Sequence, residues 1–110
     1  MVFKSRVTEA FEDDLVNTLR YLSERLASPR AAENLMHKVD VAEELLICQP
    51  FLHAVSRKPN LHSYDCRECL VDNYVIVYRV VGDEVVFLRL FHQTQLYDRL
   101  IDMSQEGGLA

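Results

Sequence analysis

The residues of this chain best suited to chemistry gather towards its C-terminal end. His92 follows Arg89 closely and precedes Tyr97, and Arg67 and Arg79 sit on neighbouring strand-like runs. Cleaving a phosphodiester without a metal needs a base, an acid and positive charge on the phosphate. His92, Tyr97 and the arginines Arg67, Arg79 and Arg89 supply those residue types. The competing reading makes them structural, with Arg79 and Arg89 paired to Asp65, Glu68 or Asp72 and His92 capping a strand end. The sequence slightly favours this second reading.

Cys66 and Cys69 have the spacing of half a zinc knuckle or a redox pair, with His62 nearby. A structural zinc needs four ligands, and the remaining cysteine, Cys48, stands just before Pro50. A redox pair belongs at a helix start after a strand, whereas these cysteines fall in a β-like run. Free thiols, no metal and no cofactor are therefore expected. His37 lies mid-helix beside an apolar stripe and reads as an edge residue, while His53 and His62 fall in or near an irregular stretch. The chain has no GxGxxG, no glycine-rich phosphate loop and no HExxH.

These residues need elements to hold them. Val2 to Val7 reads as a first strand. Thr8 can cap a helix, and Glu9, Glu12, Asp13 and Asp14 favour its first turns. Phe11, Leu15, Leu19, Leu22 and Leu26 form one apolar stripe, which predicts a helix over 8–27. Ser28-Pro29 punctuates the pattern and opens a second helix over 29–48, with Ala32, Leu35, Val39, Ala42 and Leu46 on its apolar face. The short link forces the two helices into a hairpin. Residues 49–61 look irregular. Strands are expected near 62–69, 74–81 and 85–91, the last two joined at Gly82-Asp83-Glu84. Arg79 and Arg89 punctuate these runs and are expected on an open face of the sheet. Leu96 to Met103 can form a short terminal helix. Residues 1–103 are expected to make one domain and 104–110 to fray.

Length and charge bound the function. The chain has 110 residues, enough for one modest core, and a net charge of -5 from 12 basic and 17 acidic side chains. Neither half is basic, and no basic arm or stripe stands out, which argues against autonomous nucleic-acid binding. No apolar run is long enough to span a bilayer, and the acidic N-terminal stretch is unlike a signal peptide. No membrane association and a cytoplasmic location are expected.

The composite is an α+β fold: a small, mostly antiparallel sheet with an N-terminal α-hairpin on one face, in the order β-α-α-β-β-β. This order resembles the ParE/RelE toxin superfamily. The resemblance is carried by Asp13-Asp14-Leu15, Tyr21-Leu22, Ser28-Pro29 with Ala31-Ala32, Leu45 and Pro50, the run Tyr74 to Val80, and Val85 to His92 with Arg89 and His92. It spans roughly residues 2 to 100.

The resemblance implies the toxin of a type II toxin–antitoxin pair of the plasmid-stabilisation kind, neutralised by a cognate antitoxin. Ribosome-dependent nucleases of the superfamily carry basic residues at the positions of Cys66 and Glu68, and an arginine at Val75. They carry basic or acid–base residues at Gln93 and Gln95. This sequence departs at each, which places it on the ParE-like side, whose members poison DNA gyrase. No enzymatic activity is then expected; the alternatives are a metal-independent mRNA endoribonuclease of the RelE type and a non-toxic binding module. Arg79, Arg89, His92 and Tyr97 are the expected contacts to antitoxin or target. Operator DNA would be reached only through the antitoxin, and a homodimer or a larger hetero-oligomer with the antitoxin is compatible with the sequence.

Overall fold

The computed structural model describes residues 2–95, so Tyr97, the expected terminal helix and the tail lie outside the described residues. Strand β1 spans Lys4–Val7 and leads directly into helix α1, Glu9–Arg20. Thr8 makes this junction. Its hydroxyl accepts the Phe11 amide at 3.1 Å and donates to the Leu88 carbonyl at 2.8 Å, so one side chain caps the helix and ties it to a strand.

The apolar stripe folds as its spacing predicts up to Leu22 and then shifts. Tyr21–Arg25 is a π-helical turn, not a continuation of α1. The wider turn inserts one residue into the stripe. Leu26 therefore swings outward and is 55% exposed, while Phe11 is buried and Leu15, Leu19 and Leu22 are partly buried. Ala27, at φ +48°, reverses the chain in a conformation that a side chain disfavours. Ser28 then accepts from the Ala31 amide, Pro29 takes the first helical position, and α2 runs over Pro29–Cys48. Pro50 stops it, and its buried carbonyl accepts the Tyr78 hydroxyl at 3.2 Å.

The sheet has the order β1-β4-β3-β2, with β2 at Arg67–Val71, β3 at Tyr74–Val81 and β4 at Glu84–His92. β1 runs parallel to β4, and the remaining pairs are antiparallel. The β3–β4 hairpin turns through Gly82-Asp83, with Gly82 at φ +60°, the sign that the first loop position of such a turn requires. A bulge between Val77 and Tyr78 shifts the register, so Val77 faces Arg89 while Tyr78 faces Phe87.

Two expectations need correction. The strand expected over 62–69 begins only at Arg67. Pro59–His62 forms a single helical turn, α3, and Asp65 at φ +56° redirects the chain before β2. Proline at the first helical position favours the turn, and Leu61 anchors it by full burial. Second, among the described residues each face of the sheet carries a packed core. The hairpin face holds Phe11, Leu35, Val39 and Leu46 against Ile76, Tyr78 and Phe87. The opposite face is a second core in which Leu61 and Cys66 meet Val75, Val77, Val86, Leu88 and Phe91. The segment read as irregular folds back over the sheet because these strand residues are apolar on both sides.

One carboxyl group is poorly placed for its charge. Burial, reinforced by Asp40, pushes Glu43 on α2 up to about 7 from an ordinary 4.5. A carboxyl raised in the folded state takes up a proton on folding. Its contribution therefore favours the fold below about pH 7 and is lost as the pH rises through that value. Glu43→Gln should be stabilised relative to the parent at pH 8, with the difference shrinking towards pH 5; thermal melts across that range check this, and parallel curves would contradict it.

Candidate functional site

β4 carries both of the sequence's chief candidates, and the strand points them to different places. Arg89 lies in the bulge opposite Val77 and reaches Asp14 of α1, with Nε at 2.7 Å from Oδ2 and Nη2 at 3.0 Å from Oδ1. The same Oδ2 accepts the Leu90 amide at 3.0 Å. Arg89 also lies over the Phe91 ring, 4.7 Å from its centroid. His92 faces Tyr74 across the hairpin, with ring centroids 5.4 Å apart and the rings edge to face.

The expected cluster of His92 with Arg67, Arg79 and Arg89 does not form. Arg67 faces Tyr78 on the hairpin side of the sheet, donates to the His53 carbonyl and stacks on Phe51. Arg79 faces Val86 on the opposite side, with its guanidinium over the Tyr64 ring. The ion pair of Arg89 differs from expectation too. Arg89 chooses Asp14, Glu68 pairs with Lys58, and Asp72 pairs with Lys38. A helix that crosses the strand edge brings Asp14 closer to Arg89 than any carboxylate nearby in sequence.

The cysteine pair is divided between the two cores. Cys66 belongs to the second cluster and Cys69 to the first, so they cannot share a ligand. Burial pushes the Cys66 thiol up to about 11, with Arg79 opposing, and burial also raises Cys69. Cys48 is exposed. Among the described residues, no group of three or more His, Cys, Asp or Glu side chains is placed to hold a metal ion.

What the fold does build around His92 is a cleft. One lobe, of about 360 Å³, is lined by Asn17, Thr18, Tyr21, Tyr74, Leu90, His92 and Gln95. A second lobe, of about 430 Å³, shares Tyr21, Tyr74 and His92 and continues past Leu22, Leu26, Ala31 and Leu35 to Asp72 and Asn73. The π-helical turn places Tyr21 at this boundary, 50% exposed. Burial, with Tyr21 adding, raises Tyr74, so its hydroxyl stays protonated and can donate. The His92 ring is fixed by Thr94, whose amide donates to Nδ1 at 3.3 Å and whose hydroxyl lies 2.7 Å away. An amide cannot accept, so Nδ1 of the neutral ring is the acceptor and Nε2 carries the proton.

Sequence reasoning found His92 but missed Tyr21 and Tyr74. A hairpin registered from the turn alone would set Tyr74 opposite Phe91; the bulge moves it opposite His92. The signal was therefore hidden by one inserted residue.

A helical hairpin laid on a four-stranded sheet, with β1 parallel to β4, defines the class as a small toxin fold of the ParE/RelE kind. The family follows from the sequence: the description "ParE toxin of type II toxin-antitoxin system, parDE" matches residues 6–97, and the chain belongs to that family. No curated protein matches it. Among solved structures, it is similar to a chain of the chromosomal ParDE toxin–antitoxin system from P. aeruginosa. That likeness has a TM-score of 0.66 at 17% identity, over 83% of this chain and 96% of the other. It is also similar to a copper-bound mutant toxin from Helicobacter pylori, with a TM-score of 0.55 at 20% identity, over 86% and 98%. At such identities the likeness concerns the fold.

The locked ring gives a direct test. Nitrogen-15 spectra should show neutral His92 as the Nε2–H tautomer, and Thr94→Ala should weaken that preference. A neutral ring protonated on Nδ1 would contradict the geometry.

Proposed function

We propose that this chain is the toxin of a parDE pair, that a cognate antitoxin neutralises it, and that it acts on DNA gyrase by binding and not by cutting messenger RNA. The observation that carries this reading is how the basic side chains are held. Arg89 is gripped by Asp14, Arg67 by a carbonyl and an aromatic ring, and Arg79 faces the other side of the sheet. They do not converge on His92, as a phosphate clamp would require.

The positions that correspond to the nuclease side of the superfamily support the same reading. Cys66 and Val75 are buried, and Glu68 is paired with Lys58. The Gln93 amide contacts Asn73, and the Gln95 side chain accepts the His92 amide. None is a cation, and the one carboxylate among them, Glu68, is held by Lys58. A net charge of -5 also removes the long-range attraction that RNA binding uses, and leaves operator DNA contact to the antitoxin.

The test pairs two assays with the wild type and His92→Ala. Gyrase–DNA cleavage complexes should accumulate with both proteins, while ribosome-bound messenger stays intact. Messenger cleavage that disappears in His92→Ala would overturn the proposal. Inertness in both assays, together with tight antitoxin binding, would favour a non-toxic binding module.

A further inference from the structure

The cleft around Tyr21, Tyr74 and His92 sets flat aromatic surfaces beside a mixed set of polar groups. The Tyr74 and His92 rings meet edge to face, at an interplanar angle of 82°. They form a corner, in which a planar group can lie flat on one ring while its rim meets the edge of the other. Tyr21 stands half exposed on the helical side and lines both lobes. Among the described residues, the hydroxyls of Tyr21 and Tyr74, the side-chain amide of Asn17 and the Nε2–H of His92 have no hydrogen-bond partner. A tyrosine hydroxyl and an asparagine amide each donate and accept, while the His92 Nε2–H only donates. Asn73 and Asp72 close the far end of the second lobe, and Asp72 is held there by Lys38 at 2.9 and 3.0 Å. Donors and acceptors side by side, next to aromatic faces, match the edge and the face of a nucleobase.

A cationic hollow adjoins this corner. Arg20 and Arg25 line it together with Asn17, Tyr21 and Glu24, and Asn17 and Tyr21 also line the first lobe of the cleft. Among the described residues neither arginine has an ion-pair partner, whereas Lys4, Arg6, Lys38, Lys58 and Arg89 all do. Glu24 offsets one of the two charges and leaves one net positive charge beside the aromatic corner. Two guanidinium forks can hold a single phosphate, but a polyanion needs a stripe of cations. The net charge of -5 disfavours a long nucleic acid for the same reason. The first lobe, of about 360 Å³, falls within the range of about 300–1,000 Å³ that small-molecule pockets occupy.

We infer that this cleft binds one nucleotide, a purine base with its 5′-phosphate. The base packs into the corner of Tyr74 and His92 beside Tyr21. Asn17 and the two tyrosine hydroxyls meet its polar edge, and the phosphate reaches Arg20 and Arg25. A purine is favoured because its larger ring stacks more strongly on aromatic side chains. The same chemistry is offered by a free nucleotide and by the exposed end of a single strand. The inference goes beyond the gyrase reading and does not depend on it. It also calls for no cleavage, because the ligand is held and no bond is broken.

The experiment titrates the full chain with adenosine 5′-monophosphate by calorimetry, beside adenosine and ribose 5-phosphate. Saturable binding of the nucleotide is expected, with a dissociation constant below about 1 mM. Adenosine should bind at least about tenfold more weakly, and ribose 5-phosphate should not saturate. Tyr21→Ala, at a half-exposed position, should weaken nucleotide binding about tenfold. The double variant Arg20→Gln/Arg25→Gln should bring the nucleotide down to the affinity of adenosine and leave adenosine itself unchanged. Arg57→Gln, an exposed cation elsewhere, should change nothing. Thermal melts check that each variant is folded. A pentadeoxyadenylate carrying a 5′-phosphate separates the two sources. Binding as tight as that of the nucleotide assigns the site to a strand end, and weaker binding assigns it to the free nucleotide. No saturation by about 10 mM nucleotide, equal binding of ribose 5-phosphate, or indifference to both cleft variants would overturn the inference.

Discussion

A single carboxylate, Asp14, holds the two layers of this protein in register. β1 stops at Val7, so on that side β4 has no neighbouring strand beyond Phe87, while β3 continues along the other side. Helix α1 takes over the exposed edge. Thr8 gives its hydroxyl to the Leu88 carbonyl, and Asp14 accepts the Leu90 amide and two Arg89 nitrogens. Hydrogen bonds to a charged group contribute about 1.5–3 kcal/mol each, and leaving such a group buried without partners costs more. With side chains only 22% and 17% exposed, Arg89 and Asp14 are shielded enough for that contribution to persist. The clamp fixes where α1 crosses β4, and so where Asn17, Thr18 and Tyr21 stand over His92.

The bulge in β4 makes the clamp possible. An unbroken antiparallel register would alternate Leu88, Arg89 and Leu90 between the two cores. The extra residue lets Leu88 stay in the second core and Leu90 in the first, and leaves Arg89 at the edge within reach of α1. The same inserted residue brings Tyr74 opposite His92. One local irregularity therefore positions both the structural arginine and the candidate cleft, while the π-helical turn at Tyr21–Arg25 supplies the cleft's other wall.

Much of this fold was legible in the sequence. The stripes from Phe11 to Leu22 and from Leu35 to Leu46, the cap at Ser28-Pro29 and the hairpin at Gly82 all follow local rules of spacing and turn chemistry. The parts that were not legible are those decided by contacts distant in sequence. Periodicity did not show that Leu26 would leave the stripe, because one added residue in a helix leaves composition unchanged. It did not show that Leu61 would anchor a helical turn on the second face, since a short apolar stretch serves a strand or a turn equally well. The site was legible in residue type only. His92 and Arg89 stood out by type alone; Arg89's partner stands 75 residues away and Tyr74's placement depends on the bulge.

The central claim is that Arg89 acts as a clamp on α1 and not as a group that grips RNA. The most direct measurement is growth arrest on induction of the double variant Asp14→Asn/Arg89→Gln, alongside its thermal stability. The introduced amide oxygen can still accept the Leu90 amide, and the two neutral side chains can still meet at the strand edge. A folded variant that arrests growth like the parent, with messenger intact, is the predicted result. A folded variant that has lost arrest, from a parent that cleaves messenger on the ribosome, would contradict the account.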